Sequence, residues 1–450
     1  MADQSPIAPR SDDSSNHHFE DQQMLNQSHN DVVDEIEEIV ETAEDHHHVE
    51  DNDQVDDEVL VEIKEILLHN KNPPLFSESC CIYKVPHQIR KINEEAYTPK
   101  VVSIGPLHCR NPKLQNMERI KQFAFKTFID VAKDKANTRM EDLIKFVRSA
   151  EPKVRAFYSE NIVLRESQLV KLILVDASFI IMLFLSSRWH PVFKEGLFNR
   201  AFPPQVCKDL KLPSFLKLTL EFFSDYNMQN IPLDQFFSIK HFTDLLRSFY
   251  LPMLYKPKRP TPEFKQYGIN FLSHSASELH EKGVKLKASE RKCLLELKFS
   301  GRHLEIPQIL LHHKTETIFR NMIALEQCHY PSKPYITDYA LLMDCLINTS
   351  KDVDVLVHQD IISNMLGDSS DVVKLFNGLC KDIGHINFNS DYLKICTGLN
   401  EFYKNRWNNW KATFRNQYCS TPWKIAASIA AIVLLVLTII QTICSVIQVA

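Results

Sequence analysis

Apolar side chains recur at helical intervals along most of the chain. Leu114, Met117, Ile120, Phe123, Ala124 and Phe128 fall three or four positions apart, and Asn111-Pro112 supplies a cap and a first helical residue for the helix they predict. Arg139 to Tyr158 repeats the pattern through Leu143, Phe146, Val147, Ala150, Val154 and Phe157, all expected to be buried. Leu169 to Leu185 is almost continuously apolar. Its Lys171 and Asp176 favour a core helix over a membrane span, with Asp176 as a structural, hydrogen-bonded carboxylate. Further helices are expected over Thr315–Gln327, Tyr335–Asn348, Asp354–Leu366, Val372–Ile383 and Asp391–Tyr418. Around Leu294–Ile306 the period changes to two: Leu295, Leu297 and Phe299, a Ser300-Gly301 turn, then Leu304 and Ile306 predict a small hairpin. Pro203-Pro204 and the stretch from Pro252 to Pro262 read as loops. The expected fold class is mainly α, a large helical body with one β-hairpin.

The C-terminal pattern is different in kind. From Ile425 to Ala450 no residue is charged, a length of about 39 Å as a helix against roughly 30 Å of hydrocarbon. Leu434, Leu435, Leu437 and Ile440 fill its middle, and Trp423 and Lys424 suit the headgroup boundary. A transmembrane helix is expected over 423–448, with Lys404, Arg406, Lys411, Arg415 and Lys424 placing the body in the cytosol by the positive-inside rule. No cleavable signal peptide is expected at MADQSPIAPRSDD. The membrane is expected to be the plasma membrane or an endomembrane.

Charge divides the rest. Residues 1–63 hold 20 acidic side chains against Arg10 alone, leaving 37 acids and 51 bases beyond. Residues 1–62 are therefore expected to be a disordered acidic tail, within which Val32, Val33, Ile36, Ile39 and Val40 have helical spacing, and 63–421 a helical domain that could form two lobes. His46, His47 and His48 lack a second ligand cluster, so no metal site is assigned there. Nine scattered glycines provide no phosphate-cradling loop, and 11 cysteines contain no CxxC pair. No cofactor, nucleic acid or small-molecule substrate is implied; Lys256, Lys258 and Arg259 read as a solvated loop.

Tyr97-x-Pro99, then Val102-Ser103-Ile104-Gly105-Pro106-Leu107-His108, then Met117-Glu118 with Lys121, resemble the opening signature of the plant family called domain of unknown function 247, or UPF0481. The resemblance runs on through Arg155 with Tyr158, Asp176 with Phe179, His241-x-x-Asp244, Asn321, Glu326-Gln327, Pro422-Trp423 and Gln441-Thr442. It implies a single-pass membrane protein with a largely helical body. Some members are linked to self-incompatibility in grasses, which implies recognition of an unidentified protein partner. Two departures stand out: Ala177 and Ser178 stand where the family has Gly-Cys and Met182 where it has a later Glu, and Asp209-Leu210-Lys211-Leu212-Pro213 is a shortened form of a longer acidic-amide stretch.

Two classes of function follow. An interaction protein would present the helical body at a membrane with no catalysis. An enzyme would use His108, Glu118, Asp176, His241 and Glu326 as acid, base or ligand, yet HExxH, GxSxG and CxxC are all missing. Glu118 and Lys121, one turn apart, are expected to form an ordinary surface pair. Cys328-His329 carries no mechanism by itself, because sequence neighbours point apart on a helix.

Overall fold

The computed structural model of the chain describes residues 79–136, 138–189, 214–235, 239–252, 271–384, 388–405 and 422–449. The acidic segment 1–62, Pro203-Pro204, Asp209–Pro213, the loop beyond Pro252 with its basic residues, and residues 406–421 lie outside this set. Among the described residues there are thirteen α-helices and five short strands. The mainly helical expectation holds.

The first helices are α1 (His87–Arg90), α2 (Gln115–Ala136), α3 (Met140–Ala156) and α4 (Glu166–Trp189). The Asn111 side chain accepts from the Lys113 N–H at 3.0 Å, as a cap should, and the Pro112–Leu114 turn leads into α2. Both α2 and α3 pack on α4. Phe179, Met182, Phe184 and Leu185 of α4 meet Met117 and Ala124 of α2 and Leu218 of α5 (Phe215–Phe222). The apolar run Leu169–Leu185 is thus a core helix, with Met182 buried among apolar side chains. The expectation for α3 fails: Phe146 is 71% exposed and Leu143, Val147, Ala150, Val154 and Phe157 are only half-buried. That helix lies at the margin of the body, and its one fully buried side chain among those described is Glu151.

The larger core lies further along. It is built by α7 (Ala276–Glu281), α8 (Thr315–His329), α9 (Tyr335–Leu346), α10 (Ser350–His358), α11 (Ser369–Leu379) and α12 (Ser390–Lys404) around two small sheets. α6 (Phe242–Tyr250) packs on α8. The hairpin is β2 (Lys298–Ser300) against β3 (His303–Pro307), antiparallel with Ser300 opposite His303. It belongs to a three-stranded sheet, because β1 (Lys285–Ser289) pairs parallel to β3 with Leu286 opposite Leu304 and Ala288 opposite Ile306. β4 (Ile309–Leu311) pairs parallel with β5 (Ile362–Asn364). This corrects the helix expected over Asp354–Leu366: α10 ends at His358, Asp360 adopts φ 56°, and Ile362 turns into a strand. Ile361 and Ile362 fit either period, and the free edge of β4 decides between them.

Asp352, wholly buried, ties this region together. Its carboxylate accepts from the Ser277 N–H at 2.8 Å, at the start of α7, and from Thr349 N–H and Oγ1, both at 2.8 Å, at the start of α10. One anion therefore serves two helix N-termini.

The last helix, α13 (Pro422–Val449), is long and apolar enough to cross a membrane. Trp423, Leu434, Leu435, Leu437 and Ile440 are all exposed along it.

Burial alone would raise the Asp352 pKa, but its hydrogen bonds from Ser275, Ser277 and Thr349 win and hold the carboxyl at about 2. Its contribution is therefore complete above the usual carboxylate pKa and is lost as pH falls toward 2. Asp352→Asn should lower unfolding stability at pH 7 by about 2 kcal/mol. The deficit should shrink between pH 4 and about 2 in urea titrations of detergent-solubilised protein.

Candidate functional site

The opening signature folds around one buried cation. Lys121, on the α2 face turned toward α4, has no exposed surface, and its ammonium meets three oxygens: Asp176 Oδ1 at 2.5 Å, Glu118 Oε1 at 2.8 Å and the Ser103 carbonyl at 3.0 Å. Two carboxylates and a carbonyl thus surround one ammonium. The expectation of a surface Glu118–Lys121 pair is corrected: α4 covers Lys121 and supplies the second carboxylate. Burial alone would lower the Lys121 pKa, but the bonds to Asp176 and Glu118 reverse this and raise it. Lys121 is a fixed positive charge.

Asp176 passes the constraint onward. Its Oδ2 accepts from the Gly105 N–H at 2.8 Å, so the Ser103–His108 loop is held at both a carbonyl and an amide. Gly105 sits at φ +80°, and a Cβ there would lie 2.8 Å from Tyr158 Oη. Glycine is required on both counts. Burial, with the nearby Asp176 charge, pushes the Tyr158 phenol up to about 12 and keeps it neutral.

The pinned loop forms one wall of a groove of about 410 Å³. Pro106, Leu107, His108, Cys109 and Arg110 line that wall; Tyr83, Lys84, Val85, Arg90 and Tyr97 line the next, and Asn321 of α8 lies among them. The segment 160–164 closes the groove through Val163 and its neighbours. Backbone bonds from Cys81 and Ile82 N–H to the Phe157 carbonyl, at 3.0 and 2.8 Å, fix the segment leading to Tyr83 beside the end of α3. Asn321 Nδ2 donates to the Ala96 carbonyl at 2.8 Å and so holds the turn bearing Tyr97. Burial, then the Arg90 charge, lowers the His108 pKa.

A second device fixes the 160–164 segment. The Arg155 guanidinium donates to the carbonyls of Ile162, at 2.7 Å, and Leu164, at 2.6 Å, while Nε holds Glu151 at 2.6 Å. Both carbonyls flanking Val163 turn inward to the same cation, and Val163 stands 84% exposed at the groove lip. Leu107 also lines the groove and is 44% exposed.

The remaining signature residues lie elsewhere. Pro99 is half-buried just after the turn that carries Tyr97. His241 caps α6, its Nδ1 accepting from the Asp244 N–H at 3.3 Å; Asp244 in turn accepts from Tyr330 Oη at 3.0 Å. Glu326 is wholly buried and accepts from Arg247 Nε at 2.8 Å, from the N–H groups of Ile336 and Thr337 at 3.0 and 2.9 Å, and from Thr337 Oγ1 at 2.8 Å. It caps α9 while pairing with α6. Gln327 is half-buried beside Gly384. Asp176, Glu118, His241 and Glu326 therefore do not converge with His108 in the groove. The Cys328 thiol is pushed up to about 11 by burial, which suppresses the nucleophilic thiolate, and His329 Nδ1 is engaged with Tyr83 Oη at 2.9 Å. Among the described residues no group of three or more His, Cys, Asp or Glu is placed to hold a metal.

Arg247, Arg90, Arg110 and Val163 had no sequence signal that set them apart. Each is an isolated residue whose role comes from partners remote in the chain.

Gly105→Ala should cost about 1–2 kcal/mol from the left-handed backbone alone, and Tyr158→Phe should recover only the part due to the steric clash. Lys121→Met should cost about 3–5 kcal/mol by stranding the Asp176 charge, and Asp176→Leu in the same chain should restore much of it. Urea midpoints of the four variants check both.

The plant family domain of unknown function 247, described as a plant protein of unknown function, matches residues 82–437. UPF0481 protein At3g47200 of Arabidopsis thaliana is 28% identical over 411 residues, covering 81% of this chain and 86% of its own. A second Arabidopsis thaliana UPF0481 protein, At3g02645, is 22% identical over 478 residues, covering 80% and 89%. No solved structure matches the chain. The match spans the Lys121 cluster, the groove and most of α13, and the chain belongs to the plant family of domain of unknown function 247.

Proposed function

We propose that this protein is a membrane-tethered recognition protein that performs no catalysis. In this reading α13 crosses a bilayer once, the helical body stays on the cytosolic side, and the groove beside the signature loop meets a protein partner. Cell–cell recognition or signalling, self-incompatibility included, is the setting the family suggests, at the plasma membrane or an endomembrane.

One observation carries the reading. The acidic side chains nominated as acids or bases are spent on holding the backbone: Asp176 and Glu118 on Lys121, and Glu326 on Arg247 and the start of α9. What the Lys121 and Asp176 contacts hold in place is a loop that lines an exposed groove with aliphatic side chains. Exposed aliphatics grouped around a concavity, with Tyr and Arg close by, have the composition of a contact surface. The membrane part rests on the apolar length of α13 and on the basic residues that precede it.

Protease treatment of sealed membranes from cells expressing the full chain, tagged at its N-terminus, tests the topology. The tag and body should be digested from outside the vesicles; protection of both would put them in the lumen. Replacing Leu435 and Val436 together by arginine should move the protein from the carbonate-resistant pellet to the supernatant, since each midspan charge costs about 2.5–3.5 kcal/mol on insertion.

A further inference from the structure

The groove has a definite chemical character. Its lining carries three cations, Lys84, Arg90 and Arg110, against one anion, Glu160. Two of the cations are already engaged, Lys84 with Glu160 at 3.3 Å and Arg90 with Glu94 at 3.2 Å. Arg110 is exposed and has no ion pair among the described residues. The phenol of Tyr83 and the amide of Asn321 also line it but are already held, by His329 and by the Ala96 and Thr317 carbonyls. His108, held toward its neutral form by burial and by Arg90, adds a neutral hydrogen-bonding group.

Beside this polar floor stand Leu107 and Val163, with Ile104 of the same pinned loop also exposed. A bare inorganic anion would satisfy Arg110 and leave these aliphatic lips in water. A purely apolar ligand would cover the lips and bury Arg110 without a counter-charge. The combination fits a chain segment that alternates carboxylates with branched aliphatic side chains. The volume, about 410 Å³, lies within the roughly 300–1,000 Å³ range of ligand sites. Both lips are fixed in advance, Val163 by the Arg155 clamp and Leu107 by the Asp176–Gly105 bond, so little ordering is left for the binding step.

We propose that the groove binds an acidic, aliphatic peptide segment of a partner protein, with a carboxylate on Arg110 and a branched side chain between Leu107 and Val163. The proposal rests on the recognition reading and gives its partner a chemistry.

The test uses the full chain in detergent micelles and a fluorescent peptide, Asp-Val-Val-Asp-Glu-Ile-Glu-Glu-Ile-Val-Glu, taken from residues 31–41 because it alternates acids with Val and Ile. Anisotropy should show saturable binding, and the all-amide version with Asn and Gln should bind about tenfold more weakly or worse. Arg110→Glu should weaken binding by about tenfold or more and Leu107→Ser by about fivefold. Lys113→Glu makes the same charge change three residues away, outside the lining, and should leave affinity within about twofold.

No saturable binding, equal binding of the amide peptide, or equal loss from Lys113→Glu would overturn the proposal. So would displacement of the peptide by millimolar inorganic phosphate, which would mark a plain anion site. If the peptide binds only a full-chain variant whose own acids at 31–41 are changed to amides, the occupant is this chain's own segment and the partner assignment falls. A photo-crosslinking residue at position 107 in intact cells separates the two levels of the argument. Crosslinks to a protein through a non-acidic segment would refute the ligand class and leave recognition standing. Absence of crosslinks together with absence of peptide binding would refute both.

Discussion

The N-terminal part of the body depends on a lysine ammonium removed from water. Lys121 makes its three contacts to Asp176, Glu118 and the Ser103 carbonyl with no solvent help. Such a pair adds little net stability over an apolar substitute, because both ions lose their hydration, yet neither partner tolerates the loss of the other. Its value is geometric. Asp176, held by Lys121, accepts from the Gly105 N–H, and the loop donates that bond from a glycine in left-handed conformation beside the Tyr158 hydroxyl. A helix–helix contact between α2 and α4 is thereby converted into the position of a surface loop.

The same logic recurs at two other buried anions. Glu326 joins α8, α6 and the start of α9, and Asp352 joins the starts of α7 and α10. In both cases a carboxylate lies at helix N-termini, where free N–H groups and the helix dipole favour negative charge. This explains why charged signature residues can be wholly buried without forming a reactive centre. Each is surrounded by hydrogen-bond donors, and each reports on chain geometry rather than on a reacting group. The groove lining holds three cations against the single anion Glu160, with Arg110 the least compensated of them.

Much of the architecture was legible in the amino-acid order. Most helices from Asn111 to Leu185 and from Thr315 to Lys404 follow from apolar spacing, because the period of an α-helix leaves a clear mark; the exception is the stretch after His358, where Ile362 enters a strand. The 298–307 hairpin follows from alternation around Ser300-Gly301, and α13 from an uncharged length that nothing else in the chain matches. β1 and β5 were not legible: three to five residues carry too short a pattern, and parallel pairing is decided by strands distant in sequence. Phe146 sat in a helical stripe like its neighbours, but spacing cannot say whether another element exists to cover it.

By itself, then, the sequence determined the local states: which stretches become helices, which segment suits a bilayer, where a glycine-proline turn falls, and which family motifs are present. The tertiary structure decided which charges lose water and which side chains share a site. Glu118 and Lys121 are an unremarkable pair at helical spacing until α4 covers them with Asp176. Arg155 is one of many arginines until its guanidinium takes the two carbonyls flanking Val163, and Tyr83, Arg90, His108, Arg110 and Asn321 meet only through the fold. Desolvation and convergence depend on elements remote in the chain, and no local pattern encodes them.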